Sequence, residues 1–227
     1  AHSAASRLYW SHRNPDDVTM KPYTFDAAPN PARLKLFMDF KQIELDTTQI
    51  DLGADEQLGD AYQAIVPEAT VPALVLDDGT VLSAVIAIVH YLEERFPDKP
   101  LLGRTPEARA TTLNWNHRLF TEIFSPIADA FRNAHPKYQD RALPGVAPVI
   151  QLPALAERGQ LRLAEGFDML NRELAQRQYL AGPDFSFADI DLLVALDFAK
   201  WAARVTPDAA LQHLSRWRDE ARHALSG

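Results

Sequence analysis

The stretch GPDFSFADIDLLVAL, residues 182–196, carries the strongest local signal in this chain. Ser186 and Asp189 are spaced as the two members of a capping box, in which each side chain bonds the backbone N–H of the other residue. The apolar run after Asp189 predicts a buried helix. Any helix can begin in this way, so the motif becomes informative only together with the segments around it.

Residues 20–98 carry the pattern of a small α/β domain. Apolar residues at three- and four-residue steps predict a first helix, and Pro31 suits its first turn because the N–H that proline lacks is not needed there. The Asp78-Gly79 pair between two apolar segments predicts a β-hairpin. The predicted order is strand 22–25, helix 32–42, strand 43–52, short helix 56–65, hairpin 70–83 and helix 83–96.

The rest of the chain is predicted to be helical. Residues 99–106 contain proline and glycine and are predicted to be a linker, followed by an all-helical domain at 107–227. Residues 1–19 are interpreted as a leader: a cloning remnant, a mistaken upstream start before Met20, or an N-terminal arm. The predicted helices of the second domain are 107–134, 155–174, 187–202 and 211–224.

Composition argues against several functional classes. The net charge of -8 and the lack of a basic cluster make nucleic acid an unfavourable partner. No apolar run reaches the roughly 20 residues of a membrane span, and we expect no membrane partner. The chain has no cysteine, which suits a cytoplasmic location, and no His, Asp or Glu spacing indicates a metal site.

Three further segments carry a resemblance to a known family. VPEATVPAL at 66–74 is similar to the pattern N-P-x-G-x-V-P-x-L, and IAIVHYLEERFPDKPLLG at 86–103 is similar to the end of a first domain. RNAHP at 132–136 is similar to a segment of the bacterial members of that family. With GPDFSFAD, these segments resemble the glutathione transferase family over essentially Met20 to Gly227.

The resemblance implies an α/β thioredoxin-like N-terminal domain that holds glutathione, followed by an all-α C-terminal domain that shapes the pocket for an electrophile. It also implies a homodimer and a cis peptide bond before Pro72. Val71 then offers its N–H and C=O to the cysteinyl backbone of glutathione, as an added strand would. The alternative for Pro72 is an ordinary proline at a strand edge.

The family's usual thiol-activating residue is missing. In the serine and cysteine classes it follows the first strand, and the matching position here is Ala28, which has no side-chain donor. Asn30 matches an asparagine that some bacterial members place near the thiol, and the helix start adds N–H groups. Asn30 is equally compatible with a simple turn residue. Tyr23, at the start of the strand, does not match the tyrosine-dependent classes.

A second departure lies at the start of the helix at 83–96. The family places an acidic residue followed by Ser or Thr there, and both hold the γ-glutamyl end of glutathione. Ala84 and Val85 occupy these positions. Ser83 replaces the hydroxyl only if the register slips by two residues. Backbone N–H groups still favour a carboxylate, but the partner of the ammonium group is lost.

The remaining site expectations are less specific. Lys41 and Gln42 are candidates for the glycyl carboxylate of glutathione, with solvated surface as the alternative. The candidates for the second-substrate pocket are Trp115, Phe120, Phe124 and Arg132. The alternative for each is ordinary packing in the core or at the surface.

The resemblance predicts a glutathione transferase-like enzyme of detoxification. It would conjugate or reduce small hydrophobic electrophiles with glutathione as co-substrate. The alternatives are a non-catalytic binding protein for an apolar ligand and a structural or regulatory dimer, whose own side chains would fill the cleft.

Overall fold

The computed structural model describes residues 20–226. The N-terminal part of this range contains a four-stranded sheet. The predicted leader at 1–19 lies outside the described residues. The strand order is β2-β1-β3-β4, with β1 parallel to β2 and the other pairs antiparallel. The strands are β1 (Lys21–Thr24), β2 (Thr48–Gln49), β3 (Ala73–Val75) and β4 (Val81–Leu82).

Eight α-helices accompany the sheet within the described residues. In the first half they are α1 (Pro29–Lys41), α2 (Asp60–Gln63) and α3 (Val85–Arg95). In the second half they are α4 (Pro106–Leu119), α5 (Ser125–Arg132), α6 (Pro153–Leu174), α7 (Phe187–Phe198) and α8 (Gln212–Ser226). Two π-helical segments, Phe120–Phe124 and Ala199–Ala203, continue α4 into α5 and extend α7.

Two elements of the first half are shorter than predicted. The strand expected at 43–52 is paired only at Thr48 and Gln49, because β2 pairs with only the last two residues of β1. The helix expected at 56–65 is divided into a 3₁₀ turn, Glu56–Leu58, and α2. Gly59, with extended backbone angles, separates the two pieces.

The capping box forms and fixes the start of α7. The Asp189 carboxylate accepts hydrogen bonds from the Ser186 N–H at 2.9 Å and from the Ser186 hydroxyl at 2.8 Å. It also accepts from the Leu180 N–H at 3.0 Å and from Trp217 Nε1 at 2.8 Å. Asp189 therefore joins α7 to the turn before it and to α8.

The predicted linker is anchored at its centre. Leu101 and Leu102 are buried, and their N–H groups both donate to Glu93 at 2.7 Å. The Leu101 carbonyl accepts from the Phe187 N–H at 2.8 Å. The segment thus connects α3 to the start of α7, and α1 packs on α7 across the same interface.

Candidate functional site

The end of β1 lies beside the cis peptide bond between Val71 and Pro72. The antiparallel register pairs Tyr23 with Ala73, so Thr24 is level with Pro72. The bond is cis, as the resemblance implies. Within the described residues the backbone N–H and C=O of Val71 make no hydrogen bond, so both are available to an extended peptide.

The start of α1 has few hydrogen-bond donors. Pro29 and Pro31 have no N–H, and the Ala28 N–H donates to the Phe25 carbonyl at 2.8 Å. Ala28 is the N-cap, and its side chain caps nothing. In the described part of the chain the Asn30 N–H makes no hydrogen bond. Among residues 28–31, the donors without a partner therefore both belong to Asn30: its backbone N–H and its side-chain amide.

A buried ion pair lies directly behind Asn30. Arg33 Nη1 donates to Asn30 Oδ1 at 3.0 Å, and Arg33 Nε donates to Asp191 Oδ1 at 2.6 Å. Asn116 Nδ2 donates to the other carboxylate oxygen, Asp191 Oδ2, at 2.7 Å. Burial raises the pKa of the Asp191 carboxyl, and Arg33 and Asn116 oppose that rise. The four side chains connect α1 with α4 and α7.

The start of α3 is apolar in its side chains. Ala84 is the N-cap without a side-chain hydrogen bond, and Val85 is the first helical residue and is buried. The first hydrogen bond of the helix runs from the Ala87 N–H to the Ala84 carbonyl. The N–H groups of Val85 and Ile86 precede it and have no acceptor within the helix. This end can bind a carboxylate through its backbone, but it provides no side-chain anion for an ammonium group.

Lys41 and Gln42 lie at the C-terminal end of α1, the end opposite Asn30. They are separated from Asn30 by about 17 Å of helix, whereas an extended tripeptide spans at most roughly 10 Å. The Lys41 ammonium is buried and donates to Glu93 at 2.8 Å and to the Asp98 carbonyl at 2.6 Å. The Lys41 ammonium is thus paired within the protein rather than solvated, and its contact with the glycyl carboxylate stays a prediction. Gln42 is exposed and ends α1 in the left-handed conformation.

An open cleft of about 300 Å³ lies between the β1–α1 loop and the far end of α7. Trp201 forms part of its wall and remains 47% exposed. Phe131 stands edge-on to Trp201, with ring centroids 5.2 Å apart, and supports it from behind. The full lining is Asp26, Ala27, Pro29, Ala32, Lys35, Leu36, Val194, Asp197, Phe198 and Trp201.

The residues predicted for the second-substrate pocket do not line this cleft. Trp115 is buried in the helical core, where the Arg118 guanidinium stacks on its ring at 4.2 Å. Arg132 donates to the carbonyls of Ala142 and Arg141 and lies over Tyr138, and burial lowers its pKa. Helix packing occupies the Trp115 side chain and loop anchoring that of Arg132, which is the packing alternative that the sequence left open for both.

Phe120 and Phe124 have different environments. Phe124 is buried, and the Arg33 guanidinium lies 4.8 Å from its ring centroid. Phe120 is 54% exposed on the same π-helical segment. Phe124 therefore lies under the Asn30–Arg33 pair, and Phe120 remains a candidate for contact with a bound electrophile.

Comparison with known proteins identifies the family. Models of the N-terminal and C-terminal domains of glutathione S-transferases match residues 27–95 and 153–220. A glutathione S-transferase of Escherichia coli O157:H7 is 30% identical over 176 residues, which are 74% of this chain and 78% of the relative. The chain belongs to the glutathione S-transferase family.

Solved glutathione S-transferases share the whole architecture. A glutathione S-transferase domain-containing protein from Marinobacter aquaeolei VT8 superimposes with a TM-score of 0.80 at 29% sequence identity. The match covers 90% of this chain and 99% of that one. Gtt2 from Saccharomyces cerevisiae has a TM-score of 0.79 at 26% identity, covering 91% and 98%. The predicted fold, a thioredoxin-like domain followed by a helical domain, is confirmed.

Sequence reasoning missed the residues beside the candidate site that lie where α1 crosses α7. Arg33 and Asp191 were not singled out, although each is a charge within an apolar helical pattern. Such a charge, buried at 3% exposure for Arg33 and 0% for Asp191, requires a partner. Phe198, the last residue of α7, and Trp201, in the π-helical segment after it, fall within the stretch 187–202 that the sequence predicts to be a buried helix. Only the three-dimensional crossing of α1 and α7 shows where they lie.

Between residues 20 and 226, no helix has both the length and the apolar composition needed to cross a membrane. That same part of the chain has no group of three or more His, Cys, Asp or Glu side chains arranged to hold a metal ion.

Proposed function

We propose that the chain is a glutathione transferase that uses Asn30 as the donor to the glutathione sulfur. The observation that carries the proposal is the start of α1, where two prolines and Ala28 leave Asn30 as the source of both donors. The cis Val71–Pro72 bond supports it, because its unpaired backbone groups suit the extended glutathione backbone. Family membership supports glutathione as the co-substrate, a homodimer and a cytoplasmic role in detoxification.

The chemistry is a nucleophilic substitution. A free thiol has a pKa of ~8.5 and is mostly protonated at neutral pH. Hydrogen bonds from Asn30 and the positive end of α1 favour the thiolate, and the thiol proton passes to solvent. The thiolate then attacks the electrophilic carbon of a substrate in the cleft. A sulfur–carbon bond forms, and the leaving group, such as a halide, departs with the electron pair of its bond to carbon.

The cleft selects the electrophile. Trp201 and Phe198 offer aromatic surface, Val194 and Leu36 add aliphatic surface, and the cleft volume of about 300 Å³ fits a small molecule. The cleft is open, whereas a purely structural dimer is expected to fill it. Small hydrophobic electrophiles, aromatic ones above all, are the proposed substrates.

Replacement of Asn30 tests the proposal. Asn30→Ala is expected to raise the apparent pKa of the bound thiol by about one unit, because a hydrogen bond to a charged group stabilises it by about 1.5–3 kcal/mol and the backbone donor of residue 30 remains. Conjugation of chlorodinitrobenzene, measured by absorbance, is expected to fall about tenfold in kcat/KM at neutral pH. The matched control is Asn114→Ala, an exposed asparagine on α4.

Two results would contradict the proposal. The first is a wild-type rate no higher than that of glutathione in buffer with several haloarenes and enones. The second is an Asn30→Ala rate equal to that of the control. A second function, non-catalytic binding of an apolar ligand, is favoured by the apolar start of α3 and by the exposed Trp201. It predicts quenching of tryptophan fluorescence by an apolar ligand without any turnover.

A further inference from the structure

We infer that Arg33 and Asp191 are positioning residues for Asn30, so that thiol activation in the first domain depends on a carboxylate of the second. The inference rests on the proposed function, because it concerns the orientation of the donor that the proposal assigns to the sulfur. It gives the buried ion pair between α1 and α7 a role beyond holding the two helices together.

The orientation of the Asn30 amide follows from hydrogen-bond chemistry. Arginine has five N–H donors and no acceptor, so the Asn30 atom that faces Arg33 Nη1 at 3.0 Å is the carbonyl oxygen. The Nδ2 group is then on the opposite side of the amide, away from Arg33. Asn30 itself is exposed at the start of α1. Arg33 thus prevents the amide flip that would present an acceptor, rather than a donor, to a thiolate.

Arg33 is fixed from the second domain. Its Nε donates to Asp191 Oδ1 at 2.6 Å, and its guanidinium carbon lies 4.8 Å from the ring centroid of Phe124 and 5.7 Å from that of Phe187. The two aromatic faces and one carboxylate define both the plane and the rotation of the guanidinium. An arginine held in this way cannot follow a rotating amide, so the amide adjusts to the arginine.

Asp191 is fixed in turn from α4. Asn116 Nδ2 donates to its second oxygen at 2.7 Å, so both carboxylate oxygens have a partner. The chain of contacts runs from α4 through α7 to the first turn of α1. The Arg33–Asp191 part joins residues 158 positions apart in sequence. Because helix packing fixes each member, a change at Asp191 is expected to reach Asn30 although Asp191 has no surface at the site.

Other charged groups near the start of α1 have partners of their own. Asp26 accepts from Thr24 Oγ1 and from Gln49 Nε2. Lys35 forms an ion pair with Asp39 at 2.6 Å. Asp197, on the α7 wall of the cleft, faces Arg222 at 3.5 Å. Lys35, the cation among these groups on α1, is thus held by Asp39 and does not replace Arg33 as a donor to the Asn30 carbonyl oxygen.

Arg33→Lys is the main test, because lysine keeps the charge opposite Asp191 but lacks the planar fork that bonds Asp191 and Asn30 together. The apparent pKa of the bound glutathione thiol is measured from the ultraviolet absorbance of the thiolate. We expect it to rise by about as much as in Asn30→Ala, roughly one unit, and the double variant to rise no further. The loss in kcat/KM is expected at neutral pH and to vanish at alkaline pH, where the thiol ionises unaided.

Controls separate positioning from folding. Arg118→Lys is the matched control, since Arg118 is also an ion-paired, ring-stacked arginine but lies at the half-buried edge of the helical domain, beside Glu173 and Trp115. Asp191→Asn, which keeps the shape and one acceptor, replaces Arg33→Lys if that variant does not fold. In the absence of glutathione, the Asn30 side-chain NH₂ signals in an NMR spectrum are expected to be those of an ordered amide in the wild type and of an averaged one in Arg33→Lys.

The outcomes are distinguishable. A thiol pKa that responds to Asn30→Ala but not to Arg33→Lys or Asp191→Asn would overturn the inference and leave the proposed function standing. A loss of kcat/KM equal at all pH values would also overturn it, because a purely structural defect has no such pH profile. Wild-type protein that binds no glutathione would overturn both.

Discussion

Replacing Asp189 with alanine is expected to lower the free energy of unfolding by about 3–5 kcal/mol, a large fraction of the stability of a typical domain. The carboxylate is fully buried and accepts from the Leu180 N–H, the Ser186 N–H and hydroxyl, and Trp217 Nε1. Alanine leaves these donors buried without an acceptor, and each such group costs about 1–3 kcal/mol. Urea denaturation followed by tryptophan fluorescence measures the change.

The control for this prediction is Asp219→Ala, an exposed carboxylate on α8 for which we expect a change within about 0.5 kcal/mol. If Asp189→Ala does not fold at all, Asp189→Asn provides the measurement, because the amide retains one oxygen for part of the donor set. A loss below about 1 kcal/mol in either variant would show that water replaces the carboxylate, and that the capping box is not a main contribution to stability.

Restoring polarity at the start of α3 is expected to tighten glutathione binding by a factor of about 30 to 1,000, equivalent to about 2–4 kcal/mol. The change is Ala84→Glu together with Val85→Ser. Ala84 is the N-cap and is exposed, so a glutamate there has room to meet the γ-glutamyl ammonium group. Serine at position 85 adds a hydroxyl beside the N–H groups that bind the carboxylate. Calorimetric titration of wild type and double variant gives the ratio.

Ala87→Glu is the matched control, since it adds the same charge to an exposed position further along α3. Ala84→Glu alone is measured as well, because Val85 is buried and its replacement costs some stability. Equal affinities for the double variant and the Ala87→Glu control would mean that the γ-glutamyl group does not lie at this helix start. The assignment of Ala84 and Val85 to the family's polar pair would then be wrong.

Local signals explain why the fold could be predicted from the sequence. The capping box at Ser186, the Asp78-Gly79 turn and the Val71-Pro72 pair each act over a few residues, and each is present in the structure. β2 is shorter than the sequence predicts because the length of a strand depends on its partner strand, and β1 pairs with β2 at only two positions.

The site was predicted less well because its side chains depend on contacts between distant elements. Trp115 has the same sequence pattern whether it faces a cleft or the core, and the packing of Arg118 on its ring decides the matter. The sequence around Lys41 is that of a surface lysine, and its partners, Glu93 and the carbonyls of Asp98 and Lys99, lie more than 50 residues away in sequence. Arg33 and Asp191 meet only where α1 crosses α7, and nothing within a short segment of either indicates the other.

The central claim is that Asn30 and Val71 form a working glutathione site although Ala28, Ala84 and Val85 replace the family's polar residues. Calorimetric titration of the wild-type protein with reduced glutathione at neutral pH tests this claim most directly. S-methylglutathione serves as the comparison, since it lacks the thiol that Asn30 is proposed to bind. The account predicts a dissociation constant in the micromolar to low millimolar range, with proton release for glutathione and none for its S-methyl form. No detectable binding of either compound up to ~10 mM would contradict it.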